Sequence, residues 1–316
     1  MTDAAPASGG QRAVRAFAPF PLYGYAGLAG LVAAQWLLFA GFAPVRMFFT
    51  PLAWTCYILI ADAAVFSLRG KSQLSSGRAE FARCAFASIP IWLIFEAYNL
   101  RLANWEYIGL PEAAALRYLG YAWSFATILP GLFETSDLIV ALADRLARSR
   151  GRGAARRPPV TTLREATAEE TSTFGTRASV FAFGVMCLLF PLIVPRFLAQ
   201  YLFALVWIGF IFVLHPLNSL CGRWSPFHEW ANHRRTRFVS LLAGGLGCGV
   251  LWEFWNYWAG AKWIYVFPIF QESKLFEMPI PGYLGFPPFA VECFMIYDLL
   301  AGAWRGGWGS SEMKDV

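Results

Sequence analysis

Charged residues are scarce in this chain. Only 15% of its 316 residues are Asp, Glu, Lys or Arg, whereas 57% are hydrophobic and 17% are aromatic. A single soluble core cannot bury that much apolar surface. The composition therefore excludes an ordinary soluble domain and indicates a protein that crosses a membrane several times.

Histidine and cysteine are too few for most cofactor sites. Three histidines cannot make the histidine boxes of a membrane di-iron enzyme, and only His215 lies in an apolar run, which argues against a haem with two axial histidines. The six cysteines form no C-x-x-C pair, so neither a disulfide framework nor a zinc site is expected. The glycines of GGLGCG (244–249) follow no strand, so they indicate close helix packing rather than nucleotide binding. We expect no metal and no other cofactor.

Long apolar runs predict an all-α polytopic bundle of about eight membrane-spanning helices. The runs are 18–43, 48–68, 81–102, 116–143, 178–195, 199–219, 237–260 and 283–304. A polar segment with two prolines lies between the fourth and fifth runs and reads as a flexible linker. The predicted units are an N-terminal tail (1–17), a first four-helix repeat (18–143), the linker (144–177), a second four-helix repeat (178–304) and a C-terminal tail (305–316).

The distribution of Lys and Arg predicts the orientation in the membrane. If the N-terminus is cytoplasmic, only six of the 26 basic residues fall outside and the other 20 fall inside. The six are Arg46, Arg101, Arg117, Arg196, Lys262 and Lys274. This is the positive-inside pattern, so we expect both termini in the cytoplasm of a bacterial inner membrane. The net charge of +6 then reflects topology and contact with anionic membrane lipids, and nucleic acid is not an expected partner.

The chain contains an internal repeat. FEAYNLRLANWEY (95–107) matches WEFWNYWAGAKWIY (252–265), and YLGY (118–121) matches YLGF (283–286). The corresponding residues are Glu96 with Glu253, Asn99 with Asn256, Trp105 with Trp263, Tyr107 with Tyr265, Trp54 with Trp207, and Asp62 with His215. Because each repeat has an even number of helices, both should face the same way, related by a pseudo-twofold axis along the membrane normal.

The repeated polar residues are candidates for a site. A Glu three residues before an Asn places both side chains on one helical face, and Glu292 should lie at nearly the depth of Glu253. We therefore expect Glu253, Asn256 and Glu292 to converge, with at least one acid neutral near pH 7, because a buried carboxylate is costly unless it is paired or protonated. Under the YLG alignment Thr127 corresponds to Glu292, so the first half lacks the second acid.

A structural interpretation stands beside the functional one. Buried Glu and Asn side chains can bridge helices by hydrogen bonds, and the repeated Trp and Tyr can form an aromatic belt at the membrane interface. Near the inner helix ends, Asp62 and His215 are candidates for an ion pair or a proton relay. Glu134, Asp137 and Asp298 are expected to be solvated residues at those ends.

Three functions fit these features. The first is a membrane-embedded enzyme for an isoprenoid or lipid, in which Glu253 or Glu292 protonates a double bond and nearby aromatic rings stabilise the cation. Those rings are Trp252, Phe254, Trp255, Tyr257 and Trp258, and further substrate contacts are Glu96, Asn99, Asn256, Trp263 and Tyr265. The second is a proton-coupled transporter that uses the outer acids together with Asp62 and His215. The third is a non-catalytic scaffold of an envelope system.

A resemblance favours the first of these functions. The W-x-Y at 263–265, followed by a loop and MPIPGYLGFPPFAVECFMIYDLL (278–300), resembles the membrane lycopene cyclase domain over about residues 252–300, with a weaker similarity at 95–137. In that domain a tryptophan-bearing loop leads to a proline and acidic residues that open a spanning helix. The resemblance implies proton-initiated cyclisation or isomerisation with Glu292 as the acid. This chain has one glutamate where the family usually has a pair.

Overall fold

The computed structural model describes residues 17–150, 174–231 and 235–304. Within these ranges, eight helical segments are long and apolar enough to cross a membrane. This confirms the all-α polytopic bundle that the apolar runs predict.

The spanning helices follow the predicted order, and four short strands that the apolar runs do not predict lie between them. The helices are α1 (Leu22–Phe39), α2 (Ala43–Arg69), α3 (Gln73–Ser76), α4 (Arg78–Leu102), α5 (Ala114–Ala126), α6 (Ile128–Ser149), α7 (Phe174–Ile193), α8 (Arg196–Ala199), α9 (Phe203–Leu220), α10 (Pro226–Ala231), α11 (Thr236–Trp258) and α12 (Phe286–Trp304). A 3-10 helix (Ile280–Gly285) precedes α12. The strands are β1 (Trp105–Ile108), β2 (Lys262–Tyr265), β3 (Lys274–Leu275) and β4 (Met278–Pro279).

The first spanning helix is shorter than its apolar run. Pro21 stands at its N-cap, and Gly41 follows its end with φ of +80°, a conformation that glycine adopts without strain. The next helix then starts at Ala43 rather than at 48, with Pro44 in its first turn, where the missing amide is not needed.

The two halves are packed in the same way. The first helix of each half packs along the second, as α1 on α2 and α7 on α9, and the second packs along the fourth, as α2 on α6 and α9 on α12. Glycines permit the closest of these contacts. A Cβ at Gly27 would lie 2.7 Å from the carbonyl oxygen of Cys56, and one at Gly184 would lie 2.6 Å from the amide nitrogen of Val213.

The contacts of the fourth helices correct the YLG alignment. Ser88 donates a hydrogen bond to the carbonyl oxygen of Phe125, and Gly245 packs in the same way on the carbonyl oxygen of Phe286. Ser88 and Gly245 are equivalent in the repeat that aligns the glutamates, so Phe125 corresponds to Phe286. This moves the alignment by one helical turn, and the residue equivalent to Glu292 becomes Gly131 instead of Thr127.

Two contacts lie on the pseudo-twofold axis. Strands β1 and β2 pair antiparallel with Trp105 opposite Tyr265 and Tyr107 opposite Trp263, and the repeat exchanges these two pairs. The axis therefore passes through the pair between them, Glu106 and Ile264. Deeper in the bundle, the equivalent rings of Phe133 and Phe294 meet with their centroids 5.3 Å apart. The end of the bundle that carries the four strands is called the sheet end below, and the opposite end is called the far end.

Candidate functional site

The first repeated asparagine holds the turn between α4 and β1. Its Nδ2 donates to the carbonyl oxygen of Trp105 at 2.8 Å. Its Oδ1 accepts from the amide nitrogens of Asn104 at 2.8 Å and Trp105 at 3.2 Å. Asn99 therefore stabilises a turn in which Ala103 has φ of +52°, a conformation that costs energy in a residue other than glycine.

The second repeated asparagine makes the same connection between α11 and β2. The Nδ2 of Asn256 donates to the carbonyl oxygen of Trp263 at 2.8 Å, and its Oδ1 accepts from the amide nitrogen of Trp263 at 3.0 Å. Both asparagine side chains are thus bonded to the backbone of their own strand.

Each repeated glutamate gathers the rings of its strand. Glu96 Oε1 accepts from the indole of Trp105 at 3.3 Å and the hydroxyl of Tyr107 at 2.5 Å. Glu253 Oε1 accepts from the indole of Trp263 at 3.3 Å and the hydroxyl of Tyr265 at 3.0 Å. The first copy has one additional donor, the indole of Trp92 at 2.8 Å. The motif therefore reads Glu-x-x-Asn followed by Trp-x-Tyr, and its four side chains fasten one strand to one helix.

The two strand tyrosines keep their protons at neutral pH. Burial, followed by the charge of the adjacent glutamate, raises the pKa of Tyr107 and that of Tyr265 well above the ordinary tyrosine value. Both hydroxyls are therefore hydrogen-bond donors to Glu96 and Glu253.

Glu292 does not join this arrangement. It is fully buried, and neither of its carboxylate oxygens has a hydrogen-bond partner among the described residues. The expected convergence with Glu253 and Asn256 is wrong at the level of direct contact, because equal depth does not fix the direction in which a helix presents a side chain. Glu253 itself has one oxygen, Oε2, without a partner.

Asp62 and His215 do not meet either. Asp62 accepts from the hydroxyl of Tyr23 at 2.5 Å and the hydroxyl of Ser72 at 2.8 Å, both in the first half. His215 Nδ1 lies 2.7 Å from the hydroxyl of Ser225 in the second half. Each residue ties its helix to the turn that follows, so the predicted inner ion pair is wrong.

Three acids expected to be solvated are buried. Glu134, Asp137 and Asp298 are 1%, 5% and 3% exposed. Asp137 forms an ion pair with Arg237 at 2.6 Å, which joins the two halves, and Asp298 accepts from the backbone amide of Trp224 at 2.8 Å. Each acid lies on a helix face that packs against the rest of the bundle, which position along the helix alone does not indicate.

An aromatic cavity of about 130 Å³ lies beneath β1 and β2, beside the pseudo-twofold axis. Most of its lining side chains are aromatic. Of the predicted site residues, Trp252, Trp263 and Tyr265 line it. The other predicted residues are not in its wall: Asp62, Glu96, Asn99, His215, Glu253, Phe254, Trp255, Asn256, Tyr257, Trp258 and Glu292.

The sequence reasoning missed several wall residues. Trp54 and Trp207, equivalent in the repeat, both line the cavity, as do Trp92 and Thr50. The matched positions of Trp54 and Trp207 were the available signal. Near Thr50, helix α2 bends at Phe48, where the backbone leaves the helical conformation before a proline, and a proline in a helix removes a backbone hydrogen bond and bends the chain.

The cavity wall has few polar groups, and two of them have no hydrogen-bond partner among the described residues. The hydroxyl oxygen of Thr50 and the indole nitrogen of Trp54 are buried without a hydrogen-bond partner. Arg117 and Lys262 are the charged wall residues, and Lys262 is paired with Glu277 at 2.5 Å. Several wall residues of α2 and α5 keep partial exposure, Phe48, Arg117 and Gly120 among them.

Across the described residues, no group of three or more His, Cys, Asp or Glu side chains is arranged to hold a metal ion. Comparison of the chain with protein-family models, with curated proteins and with solved structures returns no match. The class of protein is therefore set by the fold, a multi-pass membrane helix bundle, and its function is argued from the cavity.

Proposed function

We propose that this multi-pass membrane protein takes an isoprenoid or another lipid-class molecule from the bilayer into the aromatic cavity beneath β1 and β2. The observation that carries the proposal is the cavity itself, with walls that are mostly aromatic and with partly exposed wall residues on two spanning segments, which would allow an opening toward the bilayer. Ligand sites are mostly apolar concavities with a few placed polar groups, and apolar molecules concentrate in the bilayer that surrounds such an opening.

Transport has less support from the geometry. A proton-coupled path would need to join Asp62 and His215 to the outer acids. Asp62 and His215 instead bond to neighbours in their own halves, and no hydrogen bond between described residues leads from either to Glu253.

The binding test uses the protein in lipid nanodiscs and limonene, a small cyclic isoprenoid, as the probe. A ligand that binds only the folded state raises the melting temperature in proportion to its occupancy. We expect limonene to stabilise the protein and Ser124→Phe, which places a ring in the cavity wall, to abolish that effect. Ser179→Phe, on an exposed face of α7, is the matched control and should respond like the parent. Equal responses of all three proteins, or none in the parent, would overturn the proposal.

Proton-transfer chemistry is a second candidate, and one observation favours it. Tyr265 lines the cavity and is bonded to Glu253. If Glu253 is protonated and the hydrogen bond reverses so that Glu253 donates it, Glu253 can pass its proton to the Tyr265 oxygen as the Tyr265 hydroxyl protonates a double bond, which leaves a carboxylate and a carbocation. Loss of a neighbouring proton from the cation would restore Glu253, so an isomerisation needs no further reactant. The aromatic walls would stabilise the cation.

This chemistry is tested by deuterium uptake. Turnover of a bound isoprenoid in D₂O should place deuterium on carbon, and Glu253→Gln should lose that uptake while limonene still raises its melting temperature. Glu96→Gln is the control in the other repeat. If Glu253→Gln keeps the parent's uptake, Glu253 is not the acid.

We further propose that the far end faces the cytoplasm. The six basic residues assigned to the outside lie in elements at the sheet end, and the positive-inside rule then favours cytoplasmic termini. Reporter domains fused to each terminus should be active only in the cytoplasm, and periplasmic activity of either fusion would contradict the orientation.

A further inference from the structure

Two residues of the cavity wall each have a buried polar atom without a hydrogen-bond partner among the described residues. Thr50 and Trp54 lie on α2 one turn apart, which puts them on the same helical face, and both line the cavity. Thr50 is 7% exposed and Trp54 is 1% exposed, and the Thr50 hydroxyl oxygen and the Trp54 indole nitrogen have no partner among the described residues. Buried polar groups are nearly always hydrogen-bonded, so each such exception requires an explanation.

The chemistry of these two atoms points to their complement. An indole nitrogen can only donate, and a threonine hydroxyl can donate or accept. A single oxygen with two lone pairs, such as a carbonyl oxygen, can accept from both. Neighbouring side chains do not fill this role, because Trp54 is surrounded by the rings of Tyr57, Trp252 and Trp255 at centroid distances of 5.0 to 5.4 Å.

Resting on the binding function proposed above, we infer that the natural ligand carries an acceptor oxygen, of the ketone, aldehyde or ester type, which Thr50 and Trp54 hold at the α2 wall while its hydrocarbon body contacts the aromatic rings. A cationic ligand does not fit, because the charged wall residues are Arg117 and Lys262 and the wall has no acidic side chain. A plain hydrocarbon would leave both polar atoms without partners.

The test compares two probes with the same carbon skeleton, limonene and its ketone carvone. Each hydrogen bond gained is worth roughly a threefold to tenfold increase in affinity. Carvone should therefore bind the nanodisc-embedded protein at least about fivefold more tightly than limonene, measured as the ligand concentration that gives half of the maximal rise in melting temperature.

Variants assign the preference to these two atoms. Thr50→Val keeps the shape of the side chain and removes its hydroxyl, so it should reduce the preference for carvone while leaving limonene binding nearly unchanged. Trp54→Phe removes the indole nitrogen together with part of the ring, so its loss of preference is compared with that of a variant that loses the same volume. Trp207→Phe is the matched control, because Trp207 is the repeat equivalent of Trp54 in the same wall, and its indole nitrogen is not among the buried unpartnered atoms. It should keep the parent's preference.

The outcomes separate this inference from the function on which it rests. If limonene and carvone bind equally well, water satisfies the two polar atoms and the inference is wrong, although the cavity still binds isoprenoids. If Trp207→Phe loses the preference as fully as Trp54→Phe, the assignment to Trp54 is wrong. If neither probe stabilises the protein, the proposed function fails and the inference fails with it.

Discussion

The two halves share their motif and differ in the space around it. In both halves Asn holds the backbone of the following strand, and Glu gathers the Trp and Tyr side chains of that strand. The sheet end of the second half is closed by the hairpin of β3 and β4. The first half has only residues 109–113 between β1 and α5, and two of them, Leu110 and Pro111, line the cavity.

This comparison separates architecture from function. Residues common to both copies build the strand pair across the axis, which needs the same contacts twice. The cavity wall takes both copies of several repeated rings, Trp54 with Trp207 among them, but α5 of the first half lines it and the 3-10 helix of the second half does not. A polar residue that is repeated inside the membrane can therefore hold a strand to a helix, and its repetition alone does not indicate a catalytic site.

The largest expected effect comes from removing a buried side chain of the β3–β4 hairpin, which covers the sheet end of the second half. Met278 is 1% exposed and its sulfur packs on Gly282, where a Cβ would lie 2.3 Å from it. Met278→Ala should lower the free energy of unfolding by about 3 kcal/mol, the usual cost of a buried Met→Ala change. Chemical unfolding in detergent measures this. Met186→Ala, at a site 57% exposed, is the control. Equal losses in both variants would contradict a stabilising role of Met278 at the sheet end of the second half.

Replacing each repeated asparagine should show which of the two helix-to-strand connections contributes more to stability. Asn99 makes three hydrogen bonds to backbone and Asn256 makes two. With unsatisfied buried groups costing about 1–3 kcal/mol, Asn99→Ala should lose about 3 kcal/mol and Asn256→Ala about 2 kcal/mol of unfolding free energy. The left-handed turn at Ala103 adds to the first loss. A larger loss in Asn256→Ala than in Asn99→Ala would contradict this ranking.

The features that could be predicted from the sequence are those that depend on composition and residue spacing. Eight apolar runs and the duplicated motif are visible along the chain because bilayer thickness sets helix length. The strand pair was missed, although the Trp-x-Tyr alternation at 105–107 and 263–265 is the pattern of a short strand. A two-stranded pair between distant segments gains its stability from tertiary contacts, which local pattern does not report.

Rotation of helices about their axes was beyond the sequence reasoning. Glu292 and Glu253 were placed at similar depth, but the direction of each side chain depends on packing around the whole circumference. The same holds for Asp62 and His215, which are equivalent by spacing yet bond within separate halves. The cavity was not predicted for a further reason. The Trp-x-Tyr residues line it, but the bend in α2 and the short connection after β1 also contribute to its wall, and neither has a sequence motif.

The contribution of the two strand tyrosines to stability should depend on pH. Tyr265→Phe and Tyr107→Phe each remove one hydrogen bond to glutamate and should cost about 1 kcal/mol. Because burial raises the pKa of both hydroxyls, the protonated tyrosines contribute stability that is present below the unfolded value near 10 and is lost as pH rises through the folded pKa. Melting curves from pH 8 to pH 11 should show a smaller alkaline loss in the double variant than in the parent. Identical pH profiles would contradict this.

The smallest expected effect is the coupling free energy between the two phenylalanine rings that meet on the pseudo-twofold axis. Phe133 and Phe294 are equivalent residues that meet each other, with ring planes at 77°, an edge-to-face contact worth about 0.5–1.5 kcal/mol beyond burial. A double-mutant cycle of Phe133→Leu and Phe294→Leu isolates that value, because each single change removes the same ring pair. Symmetric halves further predict that the two single variants lose similar stability. A coupling near zero would show that the ring contact adds no stability beyond burial, and strongly unequal single losses would show that the halves have diverged there.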